Sequence, residues 1–420
     1  MTATAEDERS WLARHAIDVR PLRHAAFRRL FIGNGVSFFG YQFTAVAVPV
    51  QVYQLTHSNL WVGMVSFGGL LPLIVFSLWG GAIADRFDRR RVLLASSLLM
   101  WSTTLALLVQ ALLRLRSPVL ILVLVAVQAA AFAVSNPTRT AITPRLMPEQ
   151  EVAAAQTLSY TMGNVSSVAG PIAAGLVVAQ LDIWLAYAVD AVAFTVALWA
   201  ALRLPALPPQ RATATTGTKS SSLRDVREGL RYLVGARVIL LAFAIDIAAM
   251  VLAMPRALFP AVADERFGQG SLSWLYSSIA IGSVLAGISS GWIGRVRRQG
   301  LALTAAVVVW GLAVAAAGAV PWLWAVVAFL ALGGAADMVS AVYRQTMMLT
   351  YAPDEMRGRL QGVFFAVVAG GPRLGDLRAG TMAQFTGTTV AWVSGGLAAA
   401  AVALLLGLAF PVLRRYPAQE

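Results

Sequence analysis

Two long uncharged runs flank a short, strongly charged link early in the chain. No formal charge occurs within 59–84 or within 92–113. Each run exceeds the roughly 20 residues that cross the hydrocarbon core of a bilayer. The link between them, 85–91, carries six charged side chains, four of which are arginines. Because arginine-rich links stay on the cytoplasmic side, this pattern predicts a tight cytoplasmic turn between two membrane-spanning helices.

The composition also indicates a lipid environment. Hydrophobic residues make up 58% and charged residues 13% of the 420 residues, and the mean hydropathy is +0.70. Such values are not those of a soluble protein of this length. The net charge of +13 would indicate nucleic-acid binding in a soluble protein. Here the arginines lie in links between apolar runs, so we interpret them as orientation signals and expect no nucleic-acid partner.

Side chains that commonly hold metals or attack substrates are scarce. Cysteine is absent, which excludes disulfides, thiolate metal sites and cysteine nucleophiles. The three histidines, His15, His24 and His57, lie outside the apolar runs. We therefore expect no metal site, no organic cofactor and no enzymatic activity.

Apolar runs between charged or Pro/Gly-rich breaks predict twelve spans in two groups of six. The predicted spans are 27–54, 59–84, 91–114, 118–141, 149–179, 183–203, 237–263, 271–294, 300–319, 322–350, 356–386 and 388–413. An even number of spans places both termini on one side, and the arginine-rich links place that side in the cytoplasm. The predicted fold class is an all-α multi-pass membrane protein with two pseudo-symmetric six-helix bundles.

This arrangement predicts five consecutive parts of the chain. They are a cytoplasmic tail (1–26), a first bundle (27–203), a cytoplasmic linker (204–236), a second bundle (237–413) and a short cytoplasmic tail (414–420). The N-terminal tail lacks a small-residue cleavage site, so we do not expect it to be a cleaved signal peptide. Within the linker, 223–234 has the pattern of an amphipathic helix, which either lies along the anionic inner leaflet or is solvated.

An internal repeat supports the two bundles. A shift of 205 residues superimposes Arg139 on Arg344, together with several prolines, glutamines and glycines. The other matched pairs are Pro148 with Pro353, Gln156 with Gln361, Gly170 with Gly375 and Gly175 with Gly380. Parallel repeats occur in secondary transporters, where the solute path lies between the two halves. We expect the two arginines to take part in ion pairing at the cytoplasmic side.

The charged link resembles a motif of the major facilitator superfamily. The matching residues are Gly81, Asp85, Arg86, Arg89 and Arg90, and Asp88 stands where a glycine is usual. The resemblance implies a cytoplasmic gate in which these charges pair with the start of the eleventh span, near 354–359. The alternative is that the arginines only orient the protein.

The fifth span contains Gly170, Pro171 and Gly175, which look like the Gly-Pro motif of exporters and antiporters in the same superfamily. Small residues one turn apart let neighbouring helices approach closely, and a proline removes one backbone hydrogen bond. The alternative is ordinary small-residue packing.

Longer stretches narrow the resemblance. Residues 47–58 and 256–264 are similar to bacterial exporters of the siderophore enterobactin and their relatives. This resemblance implies export of an amphipathic solute, a siderophore or a drug, by alternating access and proton antiport across a bacterial inner membrane. The expected partners are the lipid bilayer, a small-molecule substrate and protons, and the chain is expected to act as a monomer.

Charged side chains inside apolar runs are functional candidates, because each costs about 2.5–3.5 kcal/mol on insertion scales. Asp246, near the middle of the seventh span, is the first candidate for a carboxylate that carries the proton or pairs with the substrate. Asp337 lies two turns from Arg344 on the same face of the tenth span, where we expect an ion pair or a second gate.

The eleventh span carries three charges, Arg373, Asp376 and Arg378, within six residues. They either hold an anionic substrate or neutralise one another. The remaining polar candidates are Asp190 and Arg256 in the sixth and seventh spans, and Asn34 and Gln42 in the first.

Three functions compete at this point. A proton-coupled exporter is favoured by the Gly-Pro motif, whereas an uptake symporter on the same fold is not. A membrane enzyme or a receptor that transports nothing is the third possibility, but the apolar runs contain no cluster of catalytic groups.

Overall fold

The computed structural model describes residues 18–208, 231, 233, 235–351 and 354–411, and every regular element in these ranges is helical. We number the helices α1–α12 and divide the second and the seventh into two segments each. They are α1 (Ala25–Thr56), α2a (Asn59–Gly68), α2b (Leu70–Arg86), α3 (Arg89–Leu112), α4 (Pro118–Ile142), α5 (Glu149–Gln180), α6 (Ile183–Leu202), α7a (Arg237–Ala253), α7b (Phe259–Val262), α8 (Leu272–Ile288), α9 (Gln299–Ala319), α10 (Leu323–Tyr351), α11 (Asp354–Thr386) and α12 (Thr388–Ala409).

The interruption of the seventh helix follows from its sequence. After α7a, Met254 takes an extended backbone conformation immediately before Pro255. Proline disfavours the helical conformation of the preceding residue and has no N–H group to donate, so the helix ends there. A tight 3-10 turn, Arg256–Leu258, then leads into α7b. The break therefore separates Arg256 from the regular part of the span.

Capping residues explain where two helices of the first half begin. The Ser117 side chain accepts a hydrogen bond from the amide of Leu120, and Pro118 occupies the first turn of α4. Asp88 caps α3 in the same way by accepting from the amides of Arg90 and Arg91. Serine and aspartate are preferred at this position, and proline suits the first helical turn.

Ten helical segments of the described chain are long and apolar enough to cross a membrane. The helices α1 and α11 are not among these ten. The chain is a multi-pass membrane protein.

The two halves repeat each other's packing. In the first half, α1 packs against α5 and α6, α2b against α4, and α3 against α4 and α6. The same pairs recur in the second half, where α7a packs against α11 and α12, α8 against α10, and α9 against α10 and α12. The predicted fold class of twelve helices in two pseudo-symmetric bundles is confirmed.

Some predicted boundaries differ from the structure or fall outside it. The eighth span was expected to extend to 294, but α8 ends at Ile288 and a 3-10 segment, Ser290–Arg295, follows. Serine and glycine at 289–291 have low helix propensity, which explains the earlier end. The amphipathic helix predicted at 223–234 lies almost entirely outside the described residues, as do 1–17 of the predicted N-terminal tail and all of the predicted C-terminal tail, 414–420.

Candidate substrate cavity and gates

A cavity of about 460 Å³ lies between the two halves. Helices α1, α2, α4 and α5 line it from one half, and α8, α11 and the turn after α7a line it from the other. Most lining side chains are apolar. The uncharged polar ones are Tyr41, Gln42, Thr44, Ser66, Gln128, Ser167 and Tyr276. A largely apolar concave site with a few convergent polar groups is typical of small-molecule binding.

Among the described residues, three charged ones line this cavity, and all come from the second half: Arg256, Arg373 and Asp376. One oxygen of Asp376 accepts from the Ser66 hydroxyl at 2.6 Å, and the other accepts from the Ala257 amide at 3.1 Å. Both arginines act electrostatically on this carboxylate. Neither guanidinium donates a hydrogen bond to any group that the structure describes. The cavity therefore contains two arginine charges for one carboxylate, with donors left for a solute.

Tyr276 adds another donor beside the two arginines. Its ring is held edge-on by Phe259, with ring centroids 5.1 Å apart. The Tyr276 hydroxyl is buried and has no hydrogen-bond partner among the described groups. Because a buried hydroxyl without a partner is unfavourable, this group favours a bound acceptor in the cavity.

The halves are closed together at one face of the molecule. We call the face where α1 ends and α2a begins the distal face, and the face where α1 begins the proximal face. Gly63 of α2a packs directly on the backbone of Asp376, and Gly380 of α11 packs on the backbone of Asn59. The Ser58 hydroxyl donates to the Gln384 side chain at 2.9 Å. The hydrogen bond from Ser66 to Asp376 also crosses between the halves, so the cavity acid belongs to this closure.

The Gly-Pro segment of α5 contributes to both the cavity and the distal closure. Gly170 packs on the side chain of Gln42 in α1, and Pro171 lines the cavity. Gly175 packs on the backbone of Ser273 at the start of α8, where no side chain would fit. Small residues therefore permit the close approach of α5 to helices in both halves.

The repeat mates of these glycines make equivalent contacts. Gly375 of α11 packs on Met250 and Met254 in the seventh span, as Gly170 packs on α1. Gly380 of α11 packs on the start of α2a, as Gly175 packs on the start of α8. The 205-residue repeat is thus visible in the packing of the two halves.

Asp246 does not line the cavity. It is buried in α7a, where it forms an ion pair with Arg344 of α10. The guanidinium of Arg344 also lies over the ring of Phe364, 5.6 Å from its centroid. Asp337 interacts electrostatically with both members of the pair. The expected pair of Asp337 with Arg344 is therefore corrected, because the carboxylate in direct contact with the arginine comes from α7a.

The charged link contacts the first half of the molecule. A guanidinium nitrogen of Arg89 donates to the carbonyl of Ala141 at 3.1 Å, and one of Arg90 donates to that of Leu202 at 2.7 Å. Asp88 also accepts from the amide of Leu207 at 3.2 Å. The link thereby joins the end of α4, the end of α6 and the segment that follows α6.

The predicted pairing of this link with α11 lies outside the described side chains. Gly81, Asp85 and Arg86 belong to the last turns of α2b, and only their backbone is described. At 354–359, likewise, the backbone is described and the side chains are not.

The remaining predicted residues lie away from the cavity lining. Arg139 donates to the Ser135 hydroxyl of its own helix at 3.0 Å and forms no ion pair with a described residue, so the expected pairing of this arginine is not seen. Arg378 turns from Arg373 and Asp376 toward α12, where it donates to the carbonyl of Ala391 at 3.4 Å. Asn34 is half-buried in α1 near the proximal face.

Several residues with polar contacts in or beside the cavity could not be recognised from the sequence. Ser66 and Tyr276 are single polar residues in apolar runs, so no pattern distinguished them from packing residues. Asp190 was a minor candidate, but its contacts with Thr44 and Thr104 could not be derived from spacing.

Two six-helix bundles around a central cavity, closed together at one face, are the architecture of many secondary transporters. Residues 17–420 match the family model described as transmembrane secretion effector. The chain belongs to this family of the major facilitator superfamily, and it is a transporter and not an enzyme.

Similar proteins cover nearly the whole chain. The enterobactin exporter EntS of Shigella boydii serotype 18 is 29% identical over 402 residues, which are 94% of each chain. EntS of Escherichia coli O139:H28 is 28% identical over the same length and share.

Solved structures with the same fold have more distant sequences. A nucleoside transporter, NupG, has a TM-score of 0.74 at 15% identity and covers 93% of this chain and 99% of its own. A peptide transporter, POT, in complex with alafosfalin has a TM-score of 0.76 at 14% identity, with coverage of 94% and 96%. At these identities the likeness concerns the fold alone.

Proposed function

We propose that this chain exports an amphipathic small molecule, siderophore-like or drug-like, by proton antiport and alternating access. The observation that carries the proposal is the position of Asp376, which borders the cavity and also joins the two halves at the distal closure. A proton bound there can therefore influence both solute binding and gating. The similarity to EntS supports export and the siderophore class.

The cavity supports an amphipathic solute. Its apolar lining suits a hydrophobic body, and Arg256, Arg373 and the Tyr276 hydroxyl supply donors for a polar or acidic group. Hydrogen bonds from charged donors are stronger than those between neutral groups, so the two arginines would orient the polar end.

The antiport step rests on the burial of Asp376. In the distal-closed state Asp376 is 8% exposed, and its carboxylate accepts from Ser66 and Ala257. These bonds hold the empty carrier closed until a solute engages the arginines and the halves rearrange. After the solute leaves on the distal side, closing again must take Asp376 out of water. Because burial of a neutral acid costs less than burial of a carboxylate, a proton from the distal side would permit the return.

Asp246 and Asp337 form the alternative proton site. The two acids share one arginine, Arg344, so the group carries an excess negative charge that a proton would neutralise. Asp376 is favoured because it borders the cavity, whereas Asp246 is paired away from it.

We further propose that the proximal face is cytoplasmic, that both termini lie there, and that the protein acts as a monomer in a bacterial inner membrane. The arginines of the charged link support this orientation. They would also support a proximal gate that forms when the distal face opens.

The test is solute uptake into inverted membrane vesicles, with a catecholate siderophore and an acidic amphipathic dye as probes. A proton gradient, acidic inside the vesicle, should drive accumulation, and a protonophore should abolish it. Asp376→Asn should lose the response to the gradient but keep downhill exchange. Arg373→Gln should raise KM about 10- to 150-fold, which corresponds to the loss of a hydrogen bond from a charged donor.

Arg378→Gln is the matched control, because Arg378 lies on the same helix but turns away from the cavity. It should leave KM unchanged. Normal proton-driven accumulation by Asp376→Asn would reject Asp376 and leave Asp246 or Asp337 as the coupling acid. Solute movement into right-side-out vesicles together with protons would instead identify an uptake symporter.

A further inference from the structure

Asp190 is a fully buried carboxylate in the first half of the molecule, on α6 where this helix packs against α1 and α3. One of its oxygens accepts from the Thr44 hydroxyl at 2.6 Å and from the Thr104 hydroxyl at 3.4 Å. The other oxygen, Oδ1, is buried and has no hydrogen-bond partner among the described groups. This oxygen lies beside Gly40 of α1.

Among the described residues, no counter-ion accompanies this carboxylate. The groups that face it are Gly40 and Thr44 from α1, Thr104 from α3, and Tyr187 one turn earlier on α6. Tyr187 is the one titratable group among them, and its hydroxyl donates to Gln51 at 2.7 Å. From α4, Gln128 reaches the site only by donating to Thr104. No arginine, lysine, histidine or second acid of the described chain acts on Asp190.

An ionised carboxylate without a cation is unfavourable inside a membrane protein, and such groups are rare outside functional sites. The two hydroxyl groups donate to Oδ2 and leave Oδ1 without a hydrogen-bond donor. We propose that Asp190 is a proton-binding site in the first half, loaded and unloaded from the central cavity past Thr44. The proton binds at the unpartnered Oδ1 and leaves the carboxyl neutral, while Oδ2 continues to accept from Thr44.

The route to the cavity is short. Thr44 lines the cavity and donates directly to Asp190, so a single side chain separates the carboxylate from the cavity. Gln128 also lines the cavity and contacts the site through Thr104. A proton taken from cavity water therefore needs no other titratable carrier, and it returns to that water when the site empties.

The site has no counterpart in the second half. The 205-residue shift places Gly395 of α12 opposite Asp190, and the guanidinium of Arg378 packs against this glycine. The two halves thus carry opposite charges at related places. The proposal deepens the proposed function, since a proton at Asp190 would add to the one carried by Asp376. The role of Asp190 in antiport rests on the proposed function, whereas proton binding at Asp190 does not.

The experiment is infrared spectroscopy of the full chain in liposomes without solute, which records the carbonyl stretch of protonated carboxyl groups as pH is varied. Asp190→Asn should lose one component of this band. Asp182→Asn, at an exposed position between α5 and α6, should leave the band unchanged. An identical band in the parent and in Asp190→Asn would overturn the proposal. Because the band is read without transport, failure of the antiport proposal would not alter it.

Two further measurements test the assigned route and the identity of the bound ion. Thr44→Val removes the hydroxyl donor but keeps the side-chain shape, so it should shift the Asp190 component and its titration midpoint without removing it. An unshifted component would overturn the assigned route. Titration of the Asp190 component in a sodium salt and in a choline salt should give the same midpoint. A sodium-dependent midpoint would show a metal cation competing for the site and would overturn the assignment to a proton alone.

Discussion

The helices α4 and α10 occupy equivalent places in the two halves, yet their matched arginines have different surroundings. Arg344 of α10 forms a buried ion pair with Asp246, whereas Arg139 of α4 bonds to Ser135 of its own helix. The 205-residue shift places Tyr41 at the position of Asp246 and Phe132 at that of Asp337. In the first half, therefore, the positions that would hold the two acids are occupied by uncharged aromatic residues.

Those aromatic residues line the central cavity. The second half thus places charges where the first half presents a cavity-facing surface, although the helix packing is the same. The difference shows that the repeat conserves backbone geometry, which depends on glycines and apolar surfaces, while the chemistry of each half varies within it. A functional residue in one half does not imply one at the matched position in the other.

The largest expected effect tests this difference directly. Arg344→Met removes the partner of a buried carboxylate and should destabilise the protein by about 3–5 kcal/mol. Arg139→Met removes a hydrogen bond to a hydroxyl and should cost only about 0.5–1.5 kcal/mol. Thermal unfolding of the purified variants measures both.

A double variant separates the loss of the ion pair from the loss of side-chain packing. Asp246→Asn in the Arg344→Met background removes the stranded charge and should restore most of the stability. If the double variant is as unstable as Arg344→Met alone, packing of the arginine and not its charge determines the effect. Equal losses for the Arg139 and Arg344 variants would contradict the comparison of the two halves.

The second prediction concerns two glycines of one helix. Gly175→Val should disfavour distal closure, because any side chain at this position meets the backbone of Ser273. A clash of about 1–3 kcal/mol corresponds to a shift of about 5- to 150-fold toward the distal-open state. Gly163→Val is the control, since open space surrounds Gly163.

Labelling of an engineered cysteine measures this shift. The chain has no cysteine of its own, so a single cysteine at Val65, which lines the cavity, reports access without background. Reagent added from the distal side should label this cysteine faster in Gly175→Val than in the parent or in Gly163→Val. Unchanged labelling would mean that the contact of α5 with α8 does not control the distal closure.

Much of the fold could be predicted from the sequence, because a bilayer of fixed thickness requires long apolar runs separated by polar or charged links. The twelve spans, the two bundles and the repeat followed from these constraints. The break at Pro255 was harder to predict, since prolines also occur within other helices of this chain, such as Pro171.

The candidate site could be predicted only in part. The charges at Arg256, Arg373 and Asp376 were visible as exceptions in apolar runs, but their common cavity was not. Which of two nearby acids contacts Arg344 depends on how α7a packs against α10, and spacing along one helix cannot give it. Ser66 became notable only through its contact with Asp376 across the two halves.

The smallest expected effect concerns the starts of α3 and α9, the third helix of each half. Asp88 caps α3 and also accepts from Leu207, whereas Arg298 precedes α9 without a side-chain cap. Asp88→Ala should therefore lower stability by about 1 kcal/mol, and Arg298→Ala should have no measurable effect. Asp88→Asn, which retains an acceptor oxygen, should keep most of the stability in thermal unfolding. If the asparagine variant loses as much stability as the alanine variant, the charge of Asp88, and not its capping hydrogen bonds, stabilises this end of the first half.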